Sequence, residues 1–122
     1  MKVEQPPPPK PGIKFEAIYF NSGSAWLALS ETAKLDEAAK ILKQSPDIKL
    51  ELSGHADSQG SYAVNEKISV ARVNAVRNYL MSKGIQGERL WVAGFASEKP
   101  AGDNTTPEGR RLNRRVEMEV VR

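Results

Sequence analysis

The chain of 122 residues has no cysteine, a single histidine and few aromatic residues, 7% of the total. Without cysteine there is no disulfide framework, no thiolate metal site and no thiol nucleophile, although either redox compartment stays open. Any histidine-based triad or metal site would rest on His55 alone. His55-x-Asp57, with no further histidine or cysteine, makes a poor zinc or nucleophile constellation, and the plain reading is a histidine packed at a strand end. No paired carboxylates stand where glycosidase work would need them, so we expect neither an enzyme nor a bound cofactor or metal. Long apolar runs are missing too. Met1-Lys2-Val3-Glu4-Gln5 leads straight into proline, with neither the core of a signal peptide nor a membrane-spanning stretch. A protein working outside the cytoplasm would have lost its targeting segment, with Met1 an added start.

Charge of one sign is also in short supply. A formal net charge of +3 favours anionic surfaces but falls far short of a dedicated polyelectrolyte binder. The densest basic cluster, Arg110, Arg111, Arg114 and Arg115, has no interleaved aromatics and runs into Glu117 and Glu119, which argues against nucleic acid. What is present suits one compact domain with a modest core, since 39% of the residues are hydrophobic and 27% charged.

Pro6-Pro7-Pro8-Pro9-Lys10-Pro11-Gly12 should form an extended polyproline spacer. Residues 1–12 are therefore expected to be a proline-rich linker or a remnant of expression, and 13–122 the folded domain. Phe15 to Phe20 reads as a strand. Ser30 is placed to cap a helix whose apolar positions Leu35, Ala38, Ala39 and Leu42 recur at helical spacing until Pro46 limits it. Ile48, Leu50 and Leu52 alternate with Lys49, Glu51 and Ser53, as in a strand with one buried face. A second helix is expected from Tyr62 to Ser82, with Ile68, Ala71, Ala75, Val76, Tyr79 and Leu80 as its apolar stripe and Gly84 as its stop. Leu90 to Ala93 supplies a third strand, Ser97 to Gly109 a polar loop, and Val116, Met118 and Val120 the inward face of a last strand. This order, β-α-β-α-β-β, argues for an α+β fold: a two-layer α/β sandwich with two main helices on one face of a mixed sheet of about four strands. The other face should be polar, because a doubly covered sheet would not carry Lys49, Glu51, Glu117 and Glu119 in its strands.

The segment Gly54-His55-Ala56-Asp57-Ser58-Gln59-Gly60 places a carboxylate at a strand end, and Arg72 places a guanidinium on the following helix. Such a pair can hold a molecule carrying both an ammonium and a carboxylate. It can equally be an ion pair tying helix to strand. Spacing alone leaves both open. Asn65 likewise reads as a ligand contact or as a polar residue bonding local backbone.

Gly54 to Gly60, Asn65, Ile68-Ser69-x-x-Arg72 and Gly109-Arg110-x-x-Asn113-Arg114-Arg115-Val116 together resemble the OmpA-like peptidoglycan-binding domain. That family includes parts of outer-membrane protein A, the peptidoglycan-associated lipoprotein and the flagellar motor protein MotB. The resemblance runs from about Ile18 to Val121. It implies non-catalytic binding of peptidoglycan through the diaminopimelate of the stem peptide, with Asp57 and Arg72 as ligand residues, Asn65 between them and Arg115 as second arginine, Arg110 being the fallback. Asn21, Ser22 and Gly23 lie where the family's ligand gains backbone contacts. Ala56 stands where threonine is usual and Ile68 where leucine is usual, and the lost hydroxyl would weaken binding. The resemblance also implies a periplasmic location, with a membrane-attached parent in the outer membrane or, for a stator, the inner membrane. The domain itself is not embedded, and a homodimer is compatible with the family. The rival reading inside the family is a protein-interaction or stator-anchoring module that keeps the fold without binding diaminopimelate.

Overall fold

The computed structural model describes residues 14–121, so the expected linker and the domain start at Ile13 lie outside the described residues. Four strands form one mixed sheet: β1 (Ile18–Tyr19), β2 (Lys49–Gly54), β3 (Leu90–Gly94) and β4 (Arg115–Val121), in the spatial order β1-β4-β2-β3. β2 and β3 run parallel because the helix α2 (Tyr62–Ser82) carries the chain back between them, pairing Leu50 with Leu90. β4 enters between β1 and β2 and pairs antiparallel with both. Alternation is kept in β2, where Leu50 and Leu52 are buried and Lys49 and Glu51 exposed. The core therefore lies on one side, between the sheet and the helices α1 (Leu29–Gln44) and α2, with Leu35, Leu42, Val76 and Leu80 at its centre.

Several boundaries differ from the sequence reading for identifiable reasons. The first strand is two residues long, not six. Its N-terminal flank diverges from β4, and a cavity of about 470 Å³ lined by Lys14, Phe15, Ala17 and residues 117–120 separates them. Ser30 is not the cap of α1. Ala28 occupies that position with extended backbone, and the Ser30 hydroxyl donates to Glu31 Oε2 at 3.0 Å. Glu31 in turn ties the helix start to the sheet, its Oε1 accepting from Tyr19 N at 2.8 Å.

The polar loop expected over 97–109 ends in a short helix, α3 (Pro107–Asn113). Thr106 caps it by accepting from Gly109 N at 2.9 Å, and proline opens it, a start signal on a helix too short to show periodicity.

α2 has its expected bounds and is capped by Ser61, which accepts from Val64 N. Its inward face is turned from the expected stripe: Asn65, Ser69, Arg72, Val73, Val76 and Leu80 are buried, and Ala71 is exposed. Close approach to the sheet explains the rotation. A side chain at Gly54 would occupy the place of the Ser69 carbonyl, so α2 lies almost on the strand backbone at Ser69 and presents a small residue there.

Candidate binding site

The ends of β2 and β3, the start of α2 and the loop after β1 meet at one edge of the core. There they enclose a cleft of about 230 Å³ lined by Ser22, Gly23, Ala56, Asp57, Gln59, Gly60, Val64, Asn65, Ile68 and Arg72. Gly54 ends β2 against α2, and the next residues turn away: Ala56 N donates to Ala96 O at 2.8 Å, which leaves Asp57 at the cleft wall. Ser61 starts α2 immediately afterwards, so Asn65 and Arg72 fall on the helix face that looks into the cleft.

Arg72 is a fully buried guanidinium, 1% exposed. Its Nε donates to Ser24 O at 2.8 Å, Nη1 to His55 O at 2.9 Å and Nη2 to Asn21 O at 3.1 Å. The Phe20 ring lies 5.4 Å from the guanidinium carbon. These bonds use three of the five N–H groups and fasten the 21–24 loop to the strand end, leaving two at the cleft. Burial lowers the Arg72 pKa to about 10, with Asp57 opposing that shift and Arg114 adding to it. The group remains a cation at neutral pH.

Asp57 does not pair with Arg72. Its Oδ2 accepts from Arg114 Nη1 at 3.2 Å, and its Oδ1 from Gln59 N at 3.1 Å. Arg114 is held in turn by donating from Nε to Phe20 O at 2.9 Å. The simple Asp57–Arg72 ion pair is therefore replaced by a row of three charges, Arg72, Asp57 and Arg114, whose sum is one positive charge. Such a row favours an anionic group entering on the Arg72 side.

The other expected residues are spread more widely. Ser22, Gly23, Ala56 and Asn65 line the cleft, and Asn21 contributes through its carbonyl bond to Arg72. Arg115 does not line it. Its side chain points to the opposite face of the sheet, with Nε donating to Glu117 Oε2 at 2.7 Å and Nη2 to Lys99 O at 3.0 Å. Arg110 bonds Asn104 O at 3.0 Å and is also absent from the cleft lining. The second arginine beside Asp57 is Arg114, and the strand period shows why: Arg114 shares its parity with the inward Val116 and Met118, Arg115 with the outward Glu117. Gln59, Gly60, Val64 and Ile68 complete the lining without any charge that would have singled them out.

His55 is 2% exposed and stacks on Phe95 at 5.4 Å, with no hydrogen bond to either ring nitrogen. Burial, and secondarily Arg115, push its pKa down to about 4, against the pull of Glu117. It is a neutral packing group whose carbonyl, not its ring, serves Arg72.

Comparison with known proteins matches this geometry to a family. A profile of the OmpA family matches residues 19–114. The chain is 43% identical over 89 residues to outer membrane porin F of Pseudomonas aeruginosa, a match covering 72% of this chain and 25% of that protein. It is 36% identical over 103 residues to the peptidoglycan-binding protein ArfA of Mycobacterium tuberculosis, covering 84% of this chain and 32% of that one. The chain thus spans about a quarter to a third of the length of these relatives. Among solved structures, the peptidoglycan-associated lipoprotein of Burkholderia pseudomallei shares the fold with a TM-score of 0.83 at 24% identity, over 86% of this chain and 89% of that one. The cell wall anchor of the type VI secretion system of Pseudomonas aeruginosa superposes with a TM-score of 0.72 at 28% identity, over 84% of this chain and 73% of that one. From the match over most of its length, the chain belongs to the OmpA family.

Proposed function

We propose that the domain binds peptidoglycan non-covalently by gripping the free end of diaminopimelate in the stem peptide, and so anchors an envelope protein to the cell wall. The observation that carries this is the Arg72–Asp57–Arg114 row in a cleft of amino-acid size. The un-cross-linked end of meso-diaminopimelate bears an ammonium and a carboxylate on one carbon. The carboxylate takes the two free N–H groups of Arg72, and the ammonium takes Asp57, whose geometry Arg114 maintains. Asn65, on the same wall, supplies a neutral amide to either group.

Cross-linking converts the ammonium to an amide and removes the partner of Asp57, so free stem peptides are the preferred ligand. No bond is made or broken. The peptidoglycan-binding relative and the outer-membrane relatives support a periplasmic setting with a membrane-attached parent. Asp57→Asn tests the reading, because it removes the charge at constant size and keeps an oxygen for Gln59 N, giving up the acceptor for Arg114. The variant should stay folded and lose co-sedimentation with purified diaminopimelate-type sacculi. Wild-type-like sedimentation of this variant would overturn the proposal.

A further inference from the structure

Asp57, Gln59 and Gly60 form one wall of the cleft, and the intervening Ser58 fastens that turn to the rest of the domain from an unexpected direction. Asn113, at the end of α3, is fully buried and organises the loop before that helix. Its Oδ1 accepts from Ala101 N at 2.6 Å and Gly102 N at 2.8 Å, and its Nδ2 donates to Gly102 O at 3.0 Å. The same Nδ2 donates to Asn104 Oδ1 at 2.7 Å. That one oxygen of Asn104 also accepts from Ser58 N at 3.2 Å, across 46 positions of sequence. Arg110 steadies Asn104 from the other side by donating to its carbonyl at 3.0 Å. Glycine permits this packing: a side chain at Gly102 would run into the backbone of Gly109.

We infer that Asn104 is a positioning residue for the cleft: its side-chain oxygen joins the Asn113-centred loop to Ser58 and thereby sets the orientation of Asp57. Ser58 directly follows Asp57, and the Gln59 amide closes back onto Asp57 Oδ1. With Ser58 released, the only remaining tie of this turn to a distant element is the Asp57–Arg114 bond at 3.2 Å, among the described residues. A wall free to pivot presents its carboxylate at a distribution of angles, and affinity falls although no ligand contact has been removed. The polar loop of the sequence and the cleft are in this way one unit. Arg110, which does not line the cleft, acts on it through the carbonyl of Asn104.

The affinity consequence rests on the binding function proposed above, but the coupling itself does not, and two variants separate them. Asn104→Ala removes the acceptor. Asn104→Asp keeps an oxygen for both donors and loses no bond that the amide nitrogen makes. Amide exchange measured by nuclear magnetic resonance should be about three- to tenfold faster at Ser58 in Asn104→Ala, the loss expected for one hydrogen bond, with the core amides of Leu52 and Val73 unchanged. Asn104→Asp should restore the wild-type rate. In calorimetric titration with meso-diaminopimelate, Asn104→Ala should bind about three- to tenfold more weakly than wild type, and Asn104→Asp should recover most of that loss. Unchanged exchange at Ser58 in Asn104→Ala, or an Asn104→Asp variant as fast as the alanine, would overturn the coupling. A wild-type domain that fails to bind would sink the functional reading and leave the exchange result to decide Asn104. Wild-type affinity in Asn104→Ala despite faster exchange would overturn the positioning role.

Discussion

Replacing Arg72 with alanine should cost more stability than any ordinary surface charge. The side chain is buried, and its removal strands the carbonyls of Asn21, Ser24 and His55, each of which now accepts a charged donor. Hydrogen bonds to charged groups are worth about 1.5–3 kcal/mol, but Asn21 and Ser24 lie toward solvent and water will replace much of their share. Loss of the guanidinium stem over Phe20 adds a packing term. The expected total is about 3–5 kcal/mol, comparable to removing one partner from a buried ionic contact. In a domain of this size that amounts to a drop of about 12–25 °C in melting temperature. Urea unfolding followed by circular dichroism measures it, and a fall in midpoint without a change in slope would place the effect in the native state. A loss below about 1 kcal/mol would refute the reasoning, because it would mean that the three carbonyls do not depend on Arg72. A loss of the expected size makes Arg72→Ala unsuited as a pure binding knockout, for which the isosteric Asp57→Asn is the better choice.

Acid should weaken the domain through His55. Its folded pKa of about 4 lies below the unfolded value of 6.5, so the unfolded chain binds the extra proton and stability falls as pH drops through that window. Between pH 7 and pH 5 the loss is about 2 kcal/mol, which His55→Phe should abolish in paired denaturant titrations; an equal acid loss in both proteins would contradict the assignment. Arg114→Ala should weaken diaminopimelate binding by about tenfold, since Asp57 loses its ionic partner, while Arg115→Ala should leave affinity within about twofold. The reverse ranking in a calorimetric series would return the second arginine to Arg115.

Much of the scaffold was legible because it follows from periodicity. The alternation of Leu50 and Leu52 with Lys49 and Glu51 marked β2 and its one-sided burial, and Ser61 and Gly84 bracket an α2 whose bounds agree with the structure. The rotation of the α2 face was not legible, because it depends on how closely Ser69 approaches Gly54, a tertiary fact. α3 escaped because seven residues carry too little pattern, although Thr106-Pro107 was a usable start signal. At the site, Asp57, Asn65 and Arg72 could be picked out as polar groups in a structured motif. Their pairing could not, since Arg114 reaches Asp57 from the junction of α3 and β4, 57 positions away. The parity of β4 held the clue to Arg114 over Arg115. The role of Asn104 was invisible, for it arises only when the loop folds over Asn113.

The most direct test of zwitterion recognition is calorimetric titration of the wild-type domain with a stem tetrapeptide containing meso-diaminopimelate beside the same tetrapeptide containing lysine, whose side-chain end carries an ammonium but no carboxylate. The charge row predicts saturable binding of the diaminopimelate peptide and binding of the lysine peptide weaker by about tenfold or more, the cost of leaving the Arg72 guanidinium without its anion. Equal affinity for the two, or no binding of either by a folded domain, would contradict it.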